Sequence, residues 1–128
     1  MKIVSLDEAE SFFPGEWMER IRQDAHFNKS HCCLLEGKES GCTVTPFDGM
    51  NILWNLWTPP PLRNNGHAQR LARGAAERFF PQVMFARYRV DEANVAQLFK
   101  KAGYEIVHTG TDRFVIVAFR NMIDNMMV

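Results

Sequence analysis

A chain of 128 residues, 46% hydrophobic and 23% charged, has the size and apolar content of one globular domain spanning residues 1–128. Its 15 basic and 15 acidic side chains cancel, which removes the general electrostatic argument for a nucleic-acid partner. No apolar run reaches the roughly 18 residues of a membrane helix, and Asp7 and Glu8 come too early for a secretion signal, so a cytoplasmic protein is expected.

The three cysteines, Cys32, Cys33 and Cys42, form neither an even disulfide set nor the paired spacing of a zinc site. They read as buried thiols. In a strand, Cys32 and Cys33 point to opposite faces.

In chain order, residues 2–4 read as a short strand. Ser5 with Glu8 makes a capping box and opens a helix from Leu6 to Phe13, interrupted by Pro14-Gly15. A weakly apolar helix over Glu16 to Ala25 places Trp17, Arg20, Ile21 and Asp24 near one face. Cys32 to Leu35 is an apolar strand, Gly37 to Gly41 a hairpin turn, and Cys42 to Thr45 an alternating strand. Pro46 and Asp48-Gly49 then turn the chain. Ile52 to Trp57 is the strongest strand of this half, and Pro59-Pro60-Pro61 cannot continue its ladder.

Ala68, Leu71, Ala72, Ala75, Ala76 and Phe79 fall on one stripe at the helical period, and Pro81 stops that helix. Val83 to Val90 reads as a strand. A second clear helix runs from Glu92 to Ala102, with Val95, Leu98, Phe99 and Ala102 on one face, Asp91 as its cap and Gly103 past its end. Glu105 to His108 and Phe114 to Phe119 are final strands joined through Gly110-Thr111-Asp112, followed by a Met-rich tail from Asn121. Strands that meander and then alternate with helices predict an α/β (α+β) fold, a mixed sheet with helices on its faces.

The chemically informative junction lies between Trp57 and Leu71. A strand ends, a loop carries a glycine, and a helix begins. A helix start offers unpaired N–H groups and the positive end of a dipole, which together attract phosphate. Gly66 lets an anion approach the backbone, Ala68 keeps the next position small, and Arg63 brings a permanent charge with phosphate-matching geometry.

Arg63-Asn64-Asn65-Gly66-His67-Ala68 resembles the Arg/Gln-x-x-Gly-x-Gly/Ala pyrophosphate loop of the GNAT superfamily of acyl-CoA N-acyltransferases. Leu98-Phe99-Lys100-Lys101-Ala102-Gly103-Tyr104 resembles a second block, Leu-Tyr-x-x-x-Gly-Phe. The element order agrees from about residue 31 to 119, whereas the first 30 residues are short and match poorly. A small, phage-type member would suit that shortening.

The resemblance implies a central twisted, mostly antiparallel sheet with splayed strands and helices on both faces. It implies acetyl-CoA as co-substrate and a primary amine of a protein or small molecule as acceptor. Leu56, Trp57 and Thr58 would pair with the pantetheine amides. The N–H groups from Asn64 and Asn65 through Gly66, His67, Ala68 and Gln69 would hold the pyrophosphate, and Arg70 and Arg73 would reach toward the nucleotide. Phe99 would stand in the slot of the usual tyrosine beside the thioester.

That slot is where the chain departs from the pattern, since Phe99 cannot donate a proton to a leaving thiolate. Glu92 occupies the usual asparagine slot, with Asn94 two residues on, and the fourth strand carries amides, Asn51 and Asn55, but no acid. Tyr88, Tyr104, His31 and Glu36 are candidate substitutes, and each also has an ordinary packing role. His67 stands at the helix start, where the dipole disfavours its protonated form. Two functions follow: an N-acetyltransferase, or a catalytically silent CoA-binding or structural protein of the same fold, self-associating as a homodimer through the Met-rich tail.

Overall fold

The computed structural model describes residues 1–110 and 112–120; Thr111 and the tail from Asn121 lie outside the described residues. The elements are β1 (Lys2–Val4), α1 (Leu6–Glu10), α2 (Gly15–Phe27), β2 (Cys32–Glu36), β3 (Ser40–Phe47), β4 (Met50–Trp57), α3 (His67–Arg78), β5 (Met84–Arg89), α4 (Ala93–Lys101), β6 (Tyr104–Thr109) and β7 (Phe114–Phe119). Every expected element is present, in the expected order.

The ends depart where local bonding overrides periodicity. The Ser5 hydroxyl accepts from the Glu8 N–H at 3.2 Å, but α1 stops at Glu10 rather than Phe13. The N–H groups of Phe12 and Phe13 both return to Ala9 O, and Phe13 is buried. Helix α2 runs past Ala25 because Asn28 fastens its end. The Asn28 N–H donates to Asp24 O, and its Nδ2 donates to Pro46 O, each at 2.9 Å. Pro46 sits inside β3, opposite Asn51, and the turn is made by Asp48 and Gly49 alone. Both are left-handed, with φ of 51° and 78°, the primed turn that Asp-Gly favours. Asp91 does not cap α4. Glu92 holds that position, and its Oε1 accepts from the Arg89 N–H at 2.9 Å, tying the cap to the end of β5.

The seven strands form one sheet in the order β1-β2-β3-β4-β5-β7-β6. All neighbours are antiparallel except β4 and β5. Adjacent Cys32 and Cys33 divide between the faces. Cys33 joins Ala9, Phe13, Met18 and Ile21 under α1 and α2. Cys32 borders the larger core of Leu34, Val44, Leu53, Met84 and Phe99 under α3 and α4. Burial drives the thiols up, Cys33 to about 11, so they are inert packing groups.

Helix α3 meets the sheet through Leu71, Ala72, Ala75 and Ala76, all at 0% exposure. Three alanines bring its axis close to β3 and β4, which fixes where its N-terminus stands. Among the described residues, no helix is long and apolar enough to cross a membrane. No cluster of His, Cys, Asp or Glu among them is arranged to hold a metal.

Candidate functional site

β4 and β5 are parallel neighbours, yet they pair only at Asn51↔Met84 and Ile52↔Phe85. Beyond these, β4 continues to Trp57 and β5 to Arg89 without further pairs, so the sheet opens into a cleft. Asn51 anchors the closed end. It is fully buried, its Nδ2 donates to Gln82 Oε1 at 2.8 Å, and its N–H donates to Val83 O at 2.8 Å.

A β-bulge bends β4 away from β5. Between Gly41↔Trp57 and Thr43↔Trp54, β3 advances two residues while β4 advances three. Asn55 occupies the bulge with φ of 53°, a left-handed conformation that asparagine tolerates better than other non-glycine residues. Its Nδ2 donates to Thr43 Oγ1 at 3.0 Å, holding the kink from the neighbouring strand. The bulge also assigns the tryptophans. Leu53 and Leu56 face the α3 core, whereas Trp57 packs at a tilt against Trp17 of α2, 5.2 Å between ring centroids, and Trp54 faces the end of α2.

The strand leads into the loop before α3. Thr58 is fixed at its start, its Oγ1 lying 3.1 Å from Ser40 Oγ and its carbonyl accepting from Arg63 Nε at 2.9 Å. Asn65 Nδ2 donates to Leu62 O at 3.1 Å and to Arg63 O at 3.2 Å, which closes the loop on itself. Asn64 and Gly66 are both left-handed, with φ of 67° and 79°. Gly66 is the cap of α3 and offers no side chain to its N–H groups. The first helical bond runs from the Arg70 N–H to Gly66 O at 3.0 Å. The N–H groups of His67, Ala68 and Gln69 precede it and have no intrahelical acceptor.

Two guanidinium groups flank this opening. Arg63 lies over the Trp57 ring, 5.1 Å from its centroid. Arg70 folds back along the helix, Nη1 donating to Asn65 O at 3.3 Å and Nη2 to His67 Nδ1 at 2.8 Å. A Cβ on Gly66 would stand 3.0 Å from Arg70 Nη1. Arg73, expected to reach toward a nucleotide, instead pairs with Glu77 at 2.9 Å.

Solved acetyltransferase structures share the fold of this chain. The ribosomal-protein-S18-alanine N-acetyltransferase of Escherichia coli aligns over 92% of both chains, with a TM-score of 0.65 and 14% identity. The N-acetyltransferase PseH of Campylobacter jejuni, solved with acetyl coenzyme A, aligns over 80% of this chain and 77% of its own, with a TM-score of 0.61 and 15% identity. A chimera of the spermidine N-acetyltransferase SpeG from Vibrio cholerae aligns over 97% and 96%, with a TM-score of 0.66 and 10% identity. The chain has the GNAT fold. No protein-family profile matches it, and no curated protein matches it by sequence.

Within the GNAT fold, the candidates for proton transfer are scattered. Phe99 is 3% exposed, with its ring stacked on Tyr88 at 6.2 Å and edge-on to Tyr104 at 5.1 Å. Tyr104 lies in the core and its hydroxyl donates to Ala72 O at 2.8 Å, so its proton is committed to α3. Burial holds that phenol well above its ordinary range. Tyr88 is 8% exposed and stands at the Phe99 side of the cleft. Glu36 ends β2, two strands away from β4, where it pairs with the N-terminal amine at 2.9 Å.

His31 is on the α2 face. Its Nδ1 lies 2.6 Å from Thr45 Oγ1, and its buried Nε2 has no partner among the described residues. Burial lowers its pKa, and the Asp24 carboxylate opposes this. Beside it, Asp24, Phe27, Asn28, Thr45 and Trp54 line a pocket of about 310 Å³. Sequence reading missed this pocket because helix end, β3 and β4 converge only in the fold. It missed the bulge as well, whose one signal is a polar Asn55 inside an otherwise apolar run.

Proposed function

We propose that this chain is a single-domain member of the GNAT superfamily and an acetyl-CoA-dependent N-acetyltransferase acting on a primary amine. The observation that carries the reading is the left-handed Gly66 at the start of α3. It sits between the Arg63 and Arg70 guanidiniums, next to the splay of β4 and β5. Three unpaired N–H groups, a helix dipole and two permanent cations fit a pyrophosphate. The GNAT-fold neighbours from Campylobacter jejuni, Elizabethkingia anophelis and Bacillus subtilis were solved with acetyl-CoA or CoA.

Each part of the site then has a task. The N–H groups of His67, Ala68 and Gln69, with Asn64, Asn65 and Gly66 before them, receive the pyrophosphate. Arg63 and Arg70 neutralise it. Leu56, Trp57 and Thr58, at the free end of β4, offer backbone groups to the pantetheine arm and a donor to the developing oxyanion. Bound acetyl-CoA supplies the acyl thioester. The amine must reach it deprotonated, since a free alkylamine has a pKa of about 10.4. Phe99 gives the leaving thiolate no proton. A thiol near pKa 8.5 leaves with help from water, so transfer persists at a reduced rate.

Phe99, together with the committed hydroxyl of Tyr104, favours a second reading in which the fold binds CoA without turnover. One titration separates these from a scaffold that ignores CoA. Calorimetry with acetyl-CoA should give micromolar binding to the wild type and none to Gly66→Glu, with circular dichroism confirming that the variant is folded. Absence of wild-type binding at millimolar acetyl-CoA removes both CoA readings. Binding without acetyl transfer to any amine tested leaves the silent one.

A further inference from the structure

Phe27 and Phe47 leave 87% and 62% of their surfaces in water, more than any other described phenylalanine. Alternation along β3 puts Phe47 on the same face as Thr45, two residues earlier, and Thr45 lines the α2-face pocket together with Phe27. Asn28, next to Phe27, donates from Nδ2 to the carbonyl of Pro46, next to Phe47, at 2.9 Å. The two rings therefore belong to one patch, at the end of the sheet where β3 turns into β4. His26 stands against the Phe27 ring in a T-shaped contact at 5.5 Å. Phe80 is exposed at the same end, two residues before Gln82, whose Oε1 accepts from Asn51.

The rim of the patch carries a charge of each sign. Lys29 follows Phe27 by two residues and Asp48 follows Phe47 directly, and both are exposed. Neither forms an ion pair with a described residue, although the bond from Asn28 to Pro46 brings their segments together. The left-handed backbone of Asp48 holds its carboxylate at the tip of the hairpin. Such a patch is complementary to itself. Across a two-fold axis every contact occurs twice, residue i on j and j on i. The half with a ring and a cation then meets the half with a ring and an anion. Two rings of this exposure present roughly 300 Å² of apolar surface, as much as the largest patch on many monomers. Doubled across the axis and extended by the charged rim, the contact reaches about 1,000 Å², where specific but weak dimers begin.

We propose that this chain forms a two-fold dimer through this patch, with Phe47 of each copy packed on Phe27 of the other and Lys29 of each paired with Asp48 of the other. The interface lies on the β3–β4 hairpin and the end of α2, not on the Met-rich tail. It involves no reaction and stands apart from the acetyltransferase reading. The start of α3 follows the opposite end of β4, so dimerisation leaves the loop around Gly66 open.

Sedimentation equilibrium of the full chain, from about 2 to about 200 µM, reads the association directly. A reversible monomer–dimer equilibrium with a Kd of roughly 10–100 µM is expected. Phe27→Ser and Phe47→Ser each remove an exposed ring, so the fold should be kept, as circular dichroism checks, and each should raise Kd at least about tenfold. Lys29→Gln and Asp48→Asn, the latter compatible with a left-handed backbone, should each raise Kd about threefold, and less so as salt rises. The double variant should lose less than the product of the two single losses, because both remove the same pair. A wild type that stays monomeric at about 200 µM overturns the proposal and leaves the patch to a different partner. A dimer with unchanged Kd in both serine variants overturns it too, since the interface then lies elsewhere. Fully multiplicative losses in the double variant overturn the pairing of Lys29 with Asp48.

Discussion

Arg63 and Trp57 close one side of the cleft as a stacked pair, the guanidinium carbon 5.1 Å from the indole centroid while Nε donates to Thr58 O at 2.9 Å. The arginine thus joins the end of β4 to the loop it helps to form. Its charge is held next to the open N–H groups of α3.

This arrangement separates charge from shape. Arg63→Ala should weaken acetyl-CoA binding by about 1.5–3 kcal/mol, the range for a charged hydrogen-bonding partner, or roughly 10- to 150-fold in Kd. Arg63→Lys should recover only part of the loss, because an ammonium cannot both stack on Trp57 and donate from a plane. Calorimetry at two salt concentrations checks it: the wild-type advantage over Arg63→Ala should shrink as salt rises. An Arg63→Lys variant indistinguishable from wild type would assign the residue a charge-only role.

Asn55 is the residue on which the splay turns. Left-handed backbone at a residue other than glycine costs about 1–2 kcal/mol, offset here by the bond from Nδ2 to Thr43 Oγ1. Asn55→Gly should keep the bulge and stay within about 1 kcal/mol of wild type. Asn55→Val should lose about 2 kcal/mol or more, since a β-branched side chain resists positive φ. Urea unfolding orders the three proteins. If Asn55→Val is as stable as Asn55→Gly, the backbone at this position is not strained.

The loop proposed to hold the pyrophosphate could be read from the sequence because it is local. Arg63, Gly66 and Ala68 lie within six consecutive residues, and the stripe from Ala68 to Phe79 shows where their helix starts. The pocket on the α2 face could not. Asp24, Thr45 and Trp54 come from three elements and meet only when β3 and β4 pair and α2 crosses them. Element ends also escaped wherever a long-range bond set them. The Nδ2 of Asn28 on Pro46 O holds the end of α2, and Glu92 displaced Asp91 as the cap by bonding back to Arg89. Alternation placed Cys32 and Cys33 on opposite faces without difficulty, because period two holds along an unbulged strand. It could not place Trp54 and Trp57 on one face, because the bulge at Asn55 resets the phase between them.

Tyr104 discriminates packing from catalysis. Its hydroxyl donates to Ala72 O in the core, so Tyr104→Phe should cost about 1–1.5 kcal/mol and lower the melting temperature by a few degrees. The acetyl-CoA affinity and any transfer rate should not change once the variant is assayed well below its melting point. A variant of wild-type stability that has lost transfer would instead return Tyr104 to the proton pathway.

His31 ties stability to pH in a defined direction. Burial lowers its folded pKa below the ordinary value of about 6.5, and Asp24 pulls the other way. The unfolded chain therefore binds the proton more readily than the folded one. The stability contributed by neutral His31 is complete above the unfolded pKa, and it is lost as pH falls from there through the folded value. His31→Asn, whose amide overlays Nδ1 and can keep the bond to Thr45, should flatten this part of the curve. Asp24→Asn should steepen it, because the one influence that raises the His31 pKa is gone. Urea unfolding from about pH 8 to about pH 5 on the three proteins reads both signs. A wild-type curve that falls no more steeply than that of His31→Asn would show that the imidazole is solvated enough to take up its proton in the folded state, and that the unpartnered Nε2 is reached by water.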